Sequence, residues 1–178
     1  MSLKKLKTKY TNILVVSGTG RNTGKTTFVC KLIKKFKNQR CIAVKISSHF
    51  HSLPQDADFV VNTENYQVIV EGDADGKKDS QKMLEAGAKK VFYVQSKDES
   101  LPEVLKYIQI NKEQPFIFES GAIARYLPDA LHVCFSGNKQ YKPCRQPDFT
   151  LIQESPQLDS FLESIQFEDN KFTVYANT

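Results

Sequence analysis

Apolar residues along this chain recur with two different rhythms, and the alternation between them predicts strands and helices in turn. Ile13–Val16, Cys41–Ile46, Lys90–Gln95, Pro115–Glu119, Leu131–Phe135 and Phe149–Ile152 are short and mostly apolar, as expected of strands buried on both faces. Between the first two, Phe28, Val29, Leu32, Ile33 and Phe36 fall on one helical face, with Lys31, Lys34, Lys35 and Lys37 largely on the other. Asp79–Ala86 reads as a short helix ended by Gly87. Ser100 and Glu103 have the spacing of a capping box ahead of the stripe Leu101, Val104, Leu105 and Ile108. A last helix carries Leu158, Phe161, Leu162 and Ile165 after Ser155-Pro156. One stretch breaks the alternation. Phe59-Val60-Val61 and Tyr66–Val70 flank Asn62-Thr63-Glu64-Asn65, which predicts a β-hairpin, residues 57–71, inserted after the second strand. Strands that alternate with helices predict a three-layer α/β fold with a mainly parallel sheet. Loops and helix N-termini then converge at the carboxyl ends of the strands, where a ligand would bind.

The segment between the first strand and the first helix changes this from a fold to a candidate chemistry. It reads Gly18-Thr-Gly-Arg-Asn-Thr-Gly-Lys-Thr-Thr27, a glycine-rich turn of the phosphate-binding kind. Glycines let consecutive N–H groups turn toward phosphate oxygens, the helix adds its positive end, Lys25 supplies a mobile ammonium, and the Thr26 hydroxyl can ligate Mg²⁺. Gly18, Gly20, Asn22, Thr23, Gly24, Lys25, Thr26 and Thr27 are therefore the expected nucleotide contacts. The match to Gly-x4-Gly-Lys-Ser/Thr is a variant, because Thr19 stands at the first glycine position and Gly18 lies one residue earlier. Glu119 ends the run Phe116-Ile117-Phe118 at the same sheet edge and is the candidate second acid for the metal, with Thr26; Lys25 and Glu119 are the expected catalytic pair. This is the plan of the P-loop NTPase fold.

Further candidates cluster around that edge. His49 and His51 could serve as ligands or proton carriers, although two histidines without a third ligand are commonly surface residues. His132 sits in an apolar run and reads as structural. Asp56, Asp58, Asp73, Asp75 and Asp79 are candidate acids in polar sequence where turn roles are equally open. Arg21 and Arg125 could steady transition-state charge or form surface ion pairs.

Size and composition set the remaining bounds. The 178 residues, 40% of them hydrophobic, suit one domain. A net charge of +5, much of it in the basic tail 1–10 and on the first helix, reads as a solvated surface; no stacking platform suggests nucleic acid. Cys30, Cys41, Cys134 and Cys144 lack the close spacing of a zinc knuckle or redox motif. With no signal-peptide pattern and no run of membrane-spanning length, a reducing, cytoplasmic setting is expected.

Four segments resemble the molybdopterin-guanine dinucleotide biosynthesis protein B (MobB) family, small dimeric nucleotide-binding proteins of the phosphate-loop class. They are Gly24-Lys25-Thr26-Thr27; Val44-Lys45 followed by His49 and His51; Gly76-Lys77-Lys78-Asp79-Ser80 leading to Glu85-Ala86-Gly87-Ala88; and Glu119, which looks like the acid of the family's Glu-Gly. The resemblance covers roughly residues 11 to 121 and departs from the family at Ser120, at the hairpin and at the extra lysine of the third segment. It implies GTP ahead of ATP, Mg²⁺, slow hydrolysis, a homodimer, and assistance to molybdenum-cofactor maturation with molybdopterin or a molybdenum-cofactor enzyme as partner. Asn138-Lys139-Gln140-Tyr141, the string nearest to the guanine-reading Asn-Lys-x-Asp, lacks its acid, which leaves ATP open. The loop also resembles that of dethiobiotin synthetases, where the first glycine is likewise displaced. This second resemblance implies an ATP-dependent small-molecule kinase or ligase.

Overall fold

A computed structural model describes residues 4–5, 12–137, 144, 146–153 and 155–176. Most of the basic tail and the string Asn138–Tyr141 lie outside the described residues. In chain order the elements are β1 (Lys4–Lys5), β2 (Ile13–Gly18), α1 (Lys25–Phe36), β3 (Ile42–Ser47), β4 (Asp58–Asn62), β5 (Tyr66–Val70), α2 (Asp79–Glu85), β6 (Lys90–Ser96), α3 (Leu101–Ile108), β7 (Phe116–Glu119), β8 (Leu131–Ser136), β9 (Phe149–Ile152), α4 (Leu158–Ser164), β10 (Ile165–Glu168) and β11 (Lys171–Ala176). Eight strands form one sheet in the order β4-β5-β6-β3-β7-β2-β8-β9. From β6 to β9 every pairing is parallel, whereas the hairpin β4–β5 joins β6 antiparallel at one edge.

Both faces of the central strands are covered, which explains why those strands read as continuous apolar runs. Leu14 and Val16 point to a core with Phe28, Val29, Leu32, Ile33 and Phe36 of α1, and Met83 of α2 joins them. Val15 points the other way, onto Phe116, Phe118, Val44 and the α3 residues Leu101, Val104 and Ile108. The expected fold is thus the observed one, including the hairpin inserted after the second strand of the parallel core.

Several local expectations are corrected. The Ser100–Glu103 capping box does not form. Ser100 closes a 3-10 turn ahead of α3 and its side chain makes no cap hydrogen bond; Pro102 stands in the first turn of the helix, and Glu103 turns outward to Lys106 at 2.7 Å. The helix α2 has the side-chain cap instead, the Lys78 N–H donating to Gln81 Oε1 at 3.0 Å. Ile165 is not on the last helix but opens β10, with extended backbone and a fully buried side chain. The chain after it forms a three-stranded antiparallel sheet, β1-β11-β10, in which the backbone of Lys4 and Lys5 pairs with Ala176 and Tyr175. That sheet reaches the α1 core through Phe172, whose ring meets Phe36 edge-on at 5.5 Å. No helix among the described residues is long and apolar enough to cross a membrane.

Candidate functional site

The strand β2 is fully buried through Val16 and delivers the chain to the carboxyl edge at Ser17 and Gly18, where it must reverse into α1. Two residues take left-handed backbone in doing so, Asn22 at φ 54° and Gly24 at φ 87°. Gly24 is the residue before the helix, and that conformation disfavours any Cβ. Gly18 has a different task. A Cβ built there would come within 2.8 Å of Lys25 Cδ and 2.9 Å of Thr23 Oγ1, so the lysine folds over the loop only because position 18 is bare.

The displaced glycine now has a physical account. Thr19, which stands where a glycine was expected, ties the loop to β8: its N–H donates to the Phe135 carbonyl at 2.9 Å and its Oγ1 accepts from the Gly137 N–H at 3.0 Å. Lys25 Nζ donates to the Gly20 carbonyl at 2.5 Å and to Thr23 Oγ1 at 3.0 Å. Among the described residues it makes no ion pair within 4 Å, and the loop's own oxygens hold its ammonium where an anion would draw it. Burial is the main influence on Lys25 and lowers its pKa, with Lys45 adding to this and Glu119 and Asp79 opposing it.

Beside the loop the structure gathers a compact set of charges. Glu119, 3% exposed at the end of β7, accepts from Thr26 Oγ1 at 3.0 and 3.2 Å. Parallel pairing places it in register with Val16 of β2 and Lys45 of β3. Lys45 Nζ bridges Glu119 Oε1 at 2.5 Å and Asp79 Oδ2 at 2.8 Å. Burial works to lower the Lys45 pKa, but the charge of Glu119 and its hydrogen bonds to both carboxylates outweigh it and raise the value. Burial tends to raise the Asp79 pKa, and the Lys45 hydrogen bond and charge, helped by Lys82 and Thr26, bring it below the ordinary carboxylate value.

Thr26 and Glu119, named from the sequence, are therefore in contact, with Lys25 on the adjoining loop. Lys45 as a site residue and Asp79 as its partner were not singled out. The signal for Lys45 was available: a lysine inside the apolar run Cys41–Ile46 calls for a buried counter-charge. Asp79 was set apart from Asp73 and Asp75 by its place in the third segment of the MobB resemblance and by opening the predicted helix, and the α2–β3 packing is what brings it to Lys45.

The remaining candidates lie elsewhere. Arg125 is turned to Asp98, 3.1 Å away, and is committed to a surface ion pair. Arg21 is exposed on the loop. His49 and His51 are exposed, their rings 6.5 Å apart, and no cluster of three metal-ligating side chains occurs among the described residues. Asp73 accepts from Gln81 Nε2 and from the Asp75 N–H, a turn role; Asp56 is exposed and Asp58 opens the edge strand β4. His132 is buried in β8 and meets Ser17 Oγ at 2.7 Å.

The oxygen donors of this charge cluster could hold a divalent cation beside a phosphate. Mg²⁺ keeps several waters and takes one or two carboxylates plus phosphate oxygens. Thr26, Glu119 and Asp79 fit that requirement, and Lys45 shows that the two carboxylates already attract a cation between them.

Comparison with protein-family models, with curated proteins and with solved structures found no match.

A cysteine pair was also missed. Cys134 and Cys144, ten residues apart in sequence, are joined as a disulfide with Cα atoms 6.3 Å apart. Their spacing carries no motif, and only the return of the chain over β8 brings them together. Cys30 and Cys41 are free.

Proposed function

We propose that this protein binds a nucleoside triphosphate with Mg²⁺ on the loop 18–27 and acts on its terminal phosphate. The observation that carries the reading is the contact of Thr26, at the start of the helix after the loop, with the buried carboxylate of Glu119 from a neighbouring strand. Loop amides and Lys25 would hold the phosphates. Thr26, Glu119 and Asp79 would hold the metal, which supplies charge neutralisation at the transferring phosphoryl group when bound. Lys45 would then be released from the carboxylates to a phosphate oxygen, since the metal's two charges satisfy both acids.

We take GTP ahead of ATP, slow hydrolysis, a homodimer and an accessory role in molybdenum-cofactor maturation from the resemblance to the MobB family. A second reading, an ATP-dependent small-molecule kinase or ligase, is favoured by Lys45. A second ammonium beside Lys25 is suited to a phosphoryl group in transfer to an acceptor. Isothermal calorimetry with GTP and ATP in Mg²⁺ tests the shared claim, with Lys25→Ala as control; absence of binding heat for both nucleotides rejects it. Turnover separates the readings. Phosphate release that no metabolite accelerates belongs to the accessory protein, and strong stimulation by one acceptor belongs to the kinase.

A further inference from the structure

The strands β2 and β8 pair in parallel with Ser17 opposite Cys134. Leu131, Val133 and Phe135 face the α1 core, so His132 and Cys134 face the other side of the sheet, where the chain returns to place Cys144 on them. The ends of this cross-linked segment are well anchored. Three residues past Cys134, Gly137 donates to Thr19 Oγ1, and a Cβ on Gly137 would stand 2.8 Å from Thr23 Cγ2, so Gly137 packs against both threonines of the loop. Beyond Cys144 the Asp148 N–H donates to the His132 carbonyl and Asp148 Oδ2 accepts from the His132 N–H, both at 2.9 Å. The disulfide thus joins the chain that leaves the phosphate loop's neighbour strand to the chain that returns along it.

Its two sulfurs differ in access. Cys134 is 1% exposed, whereas Cys144 is half-buried and lines a cavity of about 680 Å³ together with Arg125, His132 and Asp148. A cavity of that size admits a small peptide thiol. Ser17 Oγ, hydrogen-bonded to His132 Nε2 at 2.7 Å, lies 3.5 Å from Cys144 Sγ. The free thiols do not compete: burial and the nearby Glu119 push Cys30 up to about 11, and burial alone pushes Cys41 higher still.

We propose that Cys134 and Cys144 are a reversible thiol–disulfide couple whose state sets the order of the phosphate loop. It goes beyond the nucleotide reading, since the couple and its effect on the loop are defined without any ligand. Opening proceeds by exchange with a thiol such as glutathione. A glutathione thiolate attacks Cys144 Sγ, forming a mixed disulfide and expelling Cys134 as a thiolate, which is protonated. A second glutathione thiolate attacks the glutathione sulfur and expels Cys144, whose proton the Ser17 hydroxyl can pass on from His132 or solvent. The protein disulfide gains two electrons and two protons, and two glutathione molecules become one oxidised glutathione. A disulfide in a reducing compartment is commonly of this labile, sensing kind. Once it opens, Gly137 is held to Thr19 and Thr23 by its hydrogen bond and packing alone.

The experiment equilibrates the full chain in reduced or oxidised glutathione, blocks thiols under denaturing conditions and counts them by mass. Two blocked cysteines are expected in the oxidised buffer and four in the reduced one. Amide hydrogen exchange over residues 18–24 is expected to be at least about fivefold faster in the reduced form, a typical size for coupling between two sites. Cys144→Ser should show the faster exchange in both buffers. Four blocked cysteines in oxidised glutathione overturn the couple, as does a metal ion co-purifying with the reduced pair in place of the disulfide. Closure that leaves exchange over 18–24 unchanged overturns its effect on the loop. Nucleotide affinity, measured in both buffers, keeps the two readings apart: loss of binding in both, with exchange still redox-dependent, removes the nucleotide reading and leaves the couple standing.

Discussion

The ion triad of Lys45, Glu119 and Asp79 is where single side chains decide most. Glu119 and Lys45 are largely withdrawn from water, with 3% and 18% of their side chains exposed, so each depends on the other for its charge. Removing one partner of such a pair leaves an uncompensated buried charge and costs about 3–5 kcal/mol, while removing both costs much less. Lys45→Met is therefore expected to destabilise the fold by that amount, and Lys45→Met combined with Glu119→Gln to recover most of it. A double-mutant cycle in urea measures the difference; additive losses would show that the two groups do not support one another. The pH dependence has a definite sign for each shifted group. The Lys45 pKa is raised in the folded state, so its contribution is complete below the ordinary 10.5 and disappears as pH rises through the folded value. The Asp79 pKa is lowered, so its contribution is complete above 3.8 and disappears as pH falls through the folded value. The gap in Tm between wild type and Lys45→Met should close above pH 10.5, and the gap between wild type and Asp79→Asn should close below pH 3.8. Thermal scans across both ranges check this, and gaps independent of pH would assign the losses to packing.

One level up, the phosphate loop and the strands around it show what a linear pattern can and cannot convey. The strand β2, the loop and α1 were legible together because each is specified locally, by an apolar run, by glycines and by a 3.6-residue stripe. The hairpin β4–β5 was legible for the same reason, two short apolar runs about a polar turn. The terminal hairpin β10–β11 was not. Ile165 continues the spacing of Leu158, Phe161 and Leu162, and only the packing of Phe172 and Val174 against α1 favours extended backbone from that point. Of the site, Lys25, Thr26 and Glu119 were readable from position relative to a strand end. Asp79 and the Cys134–Cys144 pair depended on how α2 and the chain after β8 fold back, which no periodicity encodes. The loop's glycines also yield a contrast. At Gly24 the φ of 87° makes Gly24→Ala costly in backbone terms, roughly 1–2 kcal/mol in denaturant unfolding, before its clash with Gln153 is counted. At Gly18 the nearest atoms are on the flexible Lys25 side chain at 2.8 Å and on the Thr23 hydroxyl at 2.9 Å, with ordinary backbone φ, so Gly18→Ala should cost less stability than Gly24→Ala and lower anion affinity instead. Calorimetry with inorganic pyrophosphate beside urea melts separates the two effects. Equal stability losses for the two variants would contradict the assignment.

Across the molecule, the loop and its neighbours tie several elements together. Thr19 reaches β8, Thr26 reaches β7 through Glu119, and Lys45 links that carboxylate to α2 by way of Asp79. A ligand held at the loop with its metal at Thr26, Glu119 and Asp79 would therefore bind the native arrangement and have no counterpart in the unfolded chain. Stability must then rise with ligand as RT ln(1 + [L]/Kd), about 2.7 kcal/mol at a hundredfold excess over Kd. For a domain of this length that is a Tm increase of roughly 5–10 °C, taking about 2–4 °C per kcal/mol. The increase should need nucleotide and Mg²⁺ together. Metal alone should leave the wild-type Tm nearly unchanged, since to bind it must displace Lys45 from an existing pair without phosphates to receive it, which keeps its affinity low. Lys25→Ala should retain the apo Tm to within a few degrees, because among the described residues its side-chain bonds go to Gly20 and Thr23 of the loop itself, and should lose most of the nucleotide response. Differential scanning fluorimetry over a nucleotide series, with and without EDTA, resolves all of these. A Tm that climbs equally with EDTA present would place the binding energy elsewhere than in the Thr26–Glu119–Asp79 cluster.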